Sequence, residues 1–211
     1  MGASLSHLSS EPTKDKIDPI AVDLRANQEG VGTARTVGYW HHFGDEKTRV
    51  EGWVVREIPL VIFVNGQEWV TLMCSPHQLS SLVVGFLFCE RVISTTDDIA
   101  YMRVCEETGE AEVKLNSNIV LPTRRVLSSG CGGGVGFKSS PEDMPRLNCD
   151  LTVESAQVIA LARALVQAAN VHRLCGGTHM SALSDGEKIL VLAEDIGRHN
   201  TLDRIKGECM L

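Results

Sequence analysis

The chain has seven cysteines, at positions 74, 89, 105, 131, 149, 175 and 209, yet no two of them form a C-x-x-C pair. Ribbon-type zinc sites need such closely spaced ligands, so the sequence offers no structural metal site. An odd and scattered set does not make the disulfide framework of a small secreted domain either. Long apolar runs are missing too, and none approaches the roughly 20 residues of a membrane span. The N-terminal "MGASLSHLSSEPTKDKIDP" has no apolar signal-peptide core. Its opening "MGASLS" fits the short myristoylation pattern, but the pattern is too short to carry weight, and a disordered polar tail is the favoured reading. Cations are in deficit, with 20 Lys and Arg against 27 Asp and Glu and a net charge of −7. Phosphate neutralisation needs clustered basic residues, and there is no such cluster. These absences point to a cytoplasmic chain with reduced thiols and neither a nucleic-acid nor a membrane partner.

With 211 residues, 43% of them apolar, the chain can bury an ordinary core. Residues 1–50 read as a polar, irregular segment, partly disordered, and residues 51–211 as an α/β domain. "EIPLVIFVNGQEWVTLM" reads as two strands around Asn65-Gly66, a strong hairpin signal. In "CSPHQLSSLVVGFLFCERVI", Ser75 can cap a helix, Pro76 suits its first position and Gln78 completes a capping box. Leu79, Leu82, Val83, Phe86 and Leu87 then share one helical face, and the flanking Cys74 and Cys89 read as small apolar fillers. Tyr101–Cys105 and Glu110–Leu115 form a second hairpin across "EETG". A long helix follows Thr152 as cap, with Ala156, Ile159, Ala160, Val166 and Ala169 on its apolar face. The chain closes with strands at Met180–Leu183 and Lys188–Ala193, a turn at Asp185-Gly186 and a short helix ending at Gly207. Hairpins alternating with helices predict a mixed sheet covered by helices, an α/β fold.

Three segments carry chemistry. In "LSSGCGGGVGF", Cys131 stands among Gly130, Gly132, Gly133, Gly134 and Gly136. Glycine lets another molecule approach the backbone closely, and consecutive amides can converge into a nest that favours an anion and hence a thiolate. In "AEDIGRHN", Glu194, Asp195, Arg198, His199 and Asn200 follow the apolar "ILVL", the usual place for a ligand site in an α/β sheet. Arg198 and His199 can hold an anion there, with Asp195 orienting His199; a capped helix with a surface ion pair fits the spacing equally well. In "CGGTHMSAL", Gly176 and Gly177 precede His179, which can point into the same cleft or stand as a satisfied core histidine.

Taken together, "EIPLVIFVNGQEWVTLMCSPHQLSSLVVGFLFCERVI", "RLCGGTHMSAL" and "LAEDIGRHNTLDRIKG" resemble the formate dehydrogenase accessory sulfurtransferases, FdhD, in order and spacing, over about residues 50 to 207. The resemblance implies a cytidine-deaminase-like α/β fold and a homodimer. It implies that sulfur is accepted from a cysteine desulfurase, as a persulfide on Cys131, and passed to the molybdenum cofactor (bis-molybdopterin guanine dinucleotide) destined for formate dehydrogenase. It places His179, Asp195, Arg198 and His199 at the cofactor, which is a bound substrate; no tightly bound cofactor and no metal are implied. Zinc deaminases share that fold, but their H-x-E and P-C-x-x-C are absent here: Met180-Ser181 follow His179.

The sequence also departs from the family. Its glycine loop usually reads C-G-x-C-G, and here "GCGGG" keeps one cysteine; matching Cys131-Gly132 to the first Cys-Gly puts Gly134 at the second, whereas an ungapped match puts Gly130 at the first. Cys175 stands where Thr is more usual and is a possible second thiol. The chain stops at "IKGECML", short of the family's final segment. These departures keep a second reading open, a non-catalytic carrier or chaperone of the cofactor, or a degenerate member.

Overall fold

The structure, a computed structural model, describes residues 30–121, 125–127, 135–137 and 148–211. After a single helical turn, α1 (Gly30–Thr33), β1 (Ala34–Phe43) and β2 (Glu46–Val55) form a two-stranded antiparallel ribbon that pairs Ala34 with Val55 and Phe43 with Glu46. Irregular chain was expected up to residue 50, and this ribbon corrects the part from residue 34. The cause is visible in its burial. Tyr39, Trp40, Phe43, Trp53 and Val54 are exposed, Phe43 by 79%, so neither face has the one-sided apolar alternation by which a strand is recognised.

The main sheet has the order β4-β3-β6-β5. β3 (Ile58–Val64) and β4 (Gln67–Cys74) pair across Asn65 and Gly66, both at positive φ (50° and 80°) as a primed two-residue turn requires. β5 (Ile99–Cys105) and β6 (Glu110–Leu115) form the second expected hairpin, and β6 joins β3 in parallel, which makes the sheet mixed. Asn65 fastens that junction, accepting the Leu115 N–H at 2.8 Å and donating to the Ser117 carbonyl at 3.3 Å. Leu60, Ile62, Val64, Ala111, Val113 and Leu115 alternate onto one face, where α2 (Leu79–Cys89) covers them.

All five expected apolar residues of α2 are buried, but so are Ser81, Val84 and Gly85, because its other side meets α5 (Arg198–Glu208). A Cβ on Gly85 would lie 1.7 Å from the Asp203 carbonyl oxygen, and one on Gly207 would lie 1.8 Å from that of Ser81. The helix pair is thus in backbone contact through two glycines. The capping-box expectation is corrected: α2 starts at Leu79, with Gln78 left-handed (φ 43°) and no side-chain cap. Ser75 is occupied elsewhere, as described below.

β9 (His179–Ser184) and β10 (Ile189–Asp195) form an antiparallel hairpin close to the expected bounds. α5 packs against this hairpin, and so does α3 (Ser155–Ala168), which buries Ala164 and Ala168 with Ile189 and Leu192. Here too the expectation is corrected. The helix begins after Glu154, whose N–H donates to Gln157 Oε1 at 2.8 Å, rather than after Thr152. Of the expected face only Ala169 is buried; Ala160 is half-buried, and Ala156, Ile159 and Val166 are exposed. Leu161, Ala164, Leu165 and Ala168 make an equally regular i, i+3, i+4, i+7 stripe, and β9–β10 selects that one. The helix breaks at Ala169, and α4 (Asn170–Cys175) continues after it.

Candidate functional site

The end of β10 carries two adjacent carboxylates, Glu194 and Asp195, both almost wholly buried. Neighbouring residues on a strand point to opposite faces. Glu194 therefore turns toward α4, whose Val171 and His172 N–H groups it accepts. Asp195 turns toward α5 and the loop between β4 and α2.

Five hydrogen bonds converge on Asp195. Its Oδ1 accepts the Gly197 N–H at 2.7 Å and Asn200 Nδ2 at 2.8 Å, and its Oδ2 accepts the Ser75 N–H at 3.0 Å and Arg204 Nε and Nη2 at 3.0 and 2.5 Å. Arg204 is itself wholly buried and donates further to the carbonyls of Ser75 (2.8 Å) and His77. The Ser75 hydroxyl accepts the Ile196 N–H at 3.0 Å, and Asn200 donates to the Met73 carbonyl at 2.9 Å. Asp195 was expected to orient His199 and to meet a cofactor. Instead its carboxylate is saturated from within, and it holds α5 against the start of α2. Arg204, Asn200 and Ser75 were missed as parts of this joint. The available signal was an arginine on the buried stripe of α5, at Thr201, Arg204 and Gly207.

The strand pairing brings "CGGTH" and "EDIGRHN" to one end of the hairpin, with His179 directly opposite Asp195. Paired residues share a face, so His179 stands on the side that carries α5. His179 is exposed, and so are Arg198 and His199 in the first turn of α5, where backbone N–H groups and the helix dipole favour an anion. Cys175 ends α4, half-buried, with its thiol donating to the Val171 carbonyl at 3.1 Å; Gly176 follows at φ 67° as a left-handed cap. Cys131, and with it the expectation of an activated thiol, lies outside the described residues. The backbone on either side pairs as β7 (Arg125–Leu127) and β8 (Val135–Phe137), with Leu127 opposite Val135.

Other thiols differ sharply in character. Burial pushes Cys74 up to about 12. Cys89, expected as a small apolar filler, is an exposed residue instead, yet its thiol also rises to about 12, through partial desolvation of the sulfur and then the nearby Asp203 charge. Cys105 shifts the other way, lowered by hydrogen bonds from the Thr108 backbone and hydroxyl. It was not singled out from sequence. Burial lowers His77 to about 3, with Arg204 adding to the effect, and raises Asp203 to about 6. Among the described residues no three His, Cys, Asp or Glu converge as metal ligands, and no helix is long and apolar enough to cross a membrane.

The model of the FdhD/NarQ family matches residues 55–211. The chain is 34% identical over 178 residues to the sulfur carrier protein FdhD of Bacillus subtilis (strain 168), covering 82% of this chain and 68% of that protein. It is 37% identical over 168 residues to the sulfur carrier protein FdhD of Bacillus pumilus (strain SAFR-032), covering 75% and 63%. It therefore spans about two thirds of the length of these relatives. Its fold is similar to that of a crystal structure named for a formate dehydrogenase accessory protein from Desulfotalea psychrophila, with a TM-score of 0.63 and 18% identity, covering 85% of this chain and 67% of that one.

Proposed function

Because the chain belongs to the FdhD/NarQ family, we propose that it is a sulfurtransferase for the formate dehydrogenase system, working through a persulfide on Cys131. The Cys131 thiolate attacks the outer sulfur of a persulfide presented by a cysteine desulfurase. A new S–S bond forms on Cys131, the old one breaks, and the desulfurase cysteine leaves as thiolate. The S–S bond on Cys131 then breaks, Cys131 leaves as thiolate, and the sulfur passes to the molybdenum cofactor, a substrate rather than a resident group. Its reduced metal would supply the two electrons that bring the sulfur to the sulfide level before the cofactor reaches formate dehydrogenase. Two copies of the chain act as a homodimer.

The observation that carries this reading is the β9–β10 pairing. It sets His179 opposite Asp195, three residues before Arg198 in the first turn of α5, and His179, Arg198 and His199 are all exposed; this supports an anion site at that helix start for the phosphates of a nucleotide-bearing cofactor. Asp195 and Arg204 beneath them keep that surface in shape without touching the ligand.

The test is sulfur loading. Incubated with a cysteine desulfurase and L-cysteine, the protein gains the mass of one sulfur atom, and Cys131→Ala abolishes the gain. Cys175→Ala slows turnover at most, through loss of a resolving partner. Loading that survives Cys131→Ala and vanishes in Cys175→Ala moves the nucleophile to Cys175. Loading on neither thiol, with the cofactor still bound, leaves a non-catalytic carrier.

A further inference from the structure

Glu194 has 3% of its surface exposed on the apolar strand β10. A buried carboxylate is costly unless donors meet it, and its donors come from one short segment. The His172 N–H (2.6 Å) and the Thr178 hydroxyl (3.4 Å) donate to Oε1, and the Val171 N–H (3.0 Å) donates to Oε2. His172 ties the same segment to itself, its ring Nδ1 lying 2.8 Å from the Thr178 carbonyl. A carbonyl only accepts, so Nδ1 carries the proton. Residues 171–178, most of α4 and the glycine loop after it, are thus fastened at both ends to one side chain. Cys175 is where α4 passes into that loop, and His179 is the residue that leaves it.

We propose that Glu194 is a positioning residue for sulfur transfer, acting through this loop by fixing where Cys175 and His179 stand. The proposal rests on the reading given under Proposed function and adds to it the group that holds the segment carrying Cys175, the candidate second thiol of that reading, and leading into His179. Glu194 touches neither the sulfur nor the ligand. A carboxylate offers an acceptor to each of the two helix N–H groups, whereas the amide of Glu194→Gln sets its own N–H₂ against one of them. The loop loses one of its fastenings while the side-chain volume is kept.

The experiment uses the full chain with Glu194→Gln and, as a milder change, Thr178→Val, which removes only the 3.4 Å contact. In Glu194→Gln the ring-nitrogen NMR signature of His172 moves from the Nδ1–H toward the Nε2–H form, and Cys175 alkylates several-fold faster. Persulfide loading from the desulfurase reaches the wild-type extent, while passage of the loaded sulfur to isolated, reduced molybdenum cofactor slows about tenfold, as misplacement of the groups that orient the acceptor predicts. Thr178→Val moves all three readouts less and in the same direction, and it decides the matter if Glu194→Gln does not fold. An unchanged His172 signature and an unchanged transfer rate overturn the proposal. Equal loss of loading and transfer also overturns it, because that reports general collapse. Should the wild-type chain take up no sulfur, the sulfurtransferase reading falls, and the His172 and Cys175 readouts alone decide whether Glu194 holds the loop.

Discussion

Asp195→Asn asks whether Asp195 serves the fold or a ligand. Both Asp195 and Arg204 are wholly buried. An asparagine keeps one acceptor oxygen and replaces the other with a donor. Turned one way, it confronts Gly197 and Asn200; turned the other, it confronts Ser75 and Arg204. Either way the guanidinium loses its counter-charge. Removing one partner of a buried pair costs about 3–5 kcal/mol, at least a fifth of the roughly 5–15 kcal/mol that holds a domain together. For a chain of this size the midpoint temperature should fall by about 6–20 °C. Thermal and urea unfolding followed by circular dichroism read this directly. Two companions sharpen the result. Asp195→Asn with Arg204→Met removes both charges and should recover much of the loss. His199→Ala, at an exposed position, should stay within about 0.5 kcal/mol of wild type. An Asp195→Asn protein that unfolds at the wild-type temperature would refute the structural account.

Gly85→Ala should destabilise by about 3 kcal/mol or more in urea titration, at the top of the overpacking range, because the new methyl meets backbone rather than a movable side chain. His77 is held down to about 3 from an ordinary 6.5, so its contribution is complete above pH 6.5 and drains as the pH falls toward 3; His77→Gln should flatten that limb of the stability profile. Asp203 is raised to about 6 from 3.8, so its contribution is present below pH 3.8 and is lost as the pH rises through 6. Asp203→Asn should therefore stabilise the protein at pH 7, by up to about 3 kcal/mol, and change little at pH 3.5. Limited iodoacetamide labelling with mass spectrometry should modify Cys131 first, then Cys105, with Cys74 and Cys89 last, following the loop glycines around the first and the direction of shift in the others.

Much of the fold was legible because β3–β4, β5–β6 and β9–β10 each carry turn chemistry between apolar runs, and because α2 shows an unambiguous stripe. The β1–β2 ribbon was not, since its aromatics are exposed on both faces and mimic a polar coil. On α3 the alanine-rich sequence supports more than one stripe, so tertiary packing had to choose. At Ser75 a plausible cap was overridden by partners more than 100 residues away, which no local pattern reveals. The same limit applies at the site. The residue types in "EDIGRHN" announced charge beside a strand end, but the division of labour among them did not show. Which of them face solvent and which lock the interior depends on the strand's alternation and on Arg204.

The adjacency of Glu194 and Asp195 has a consequence for how the hairpin finds its alignment. "ILVLA" is apolar throughout, so hydrophobic burial alone would tolerate β10 sliding one residue along β9. Such a slide would turn each acid to the face from which the other now points. The longer glutamate would be forced toward Arg204 and the shorter aspartate would fall short of the Val171 and His172 amides, stranding buried charge on both sides of the strand at once. The order of two acids that differ by a single methylene thus acts as a vernier, penalising the one-residue slips that the aliphatic residues would accept.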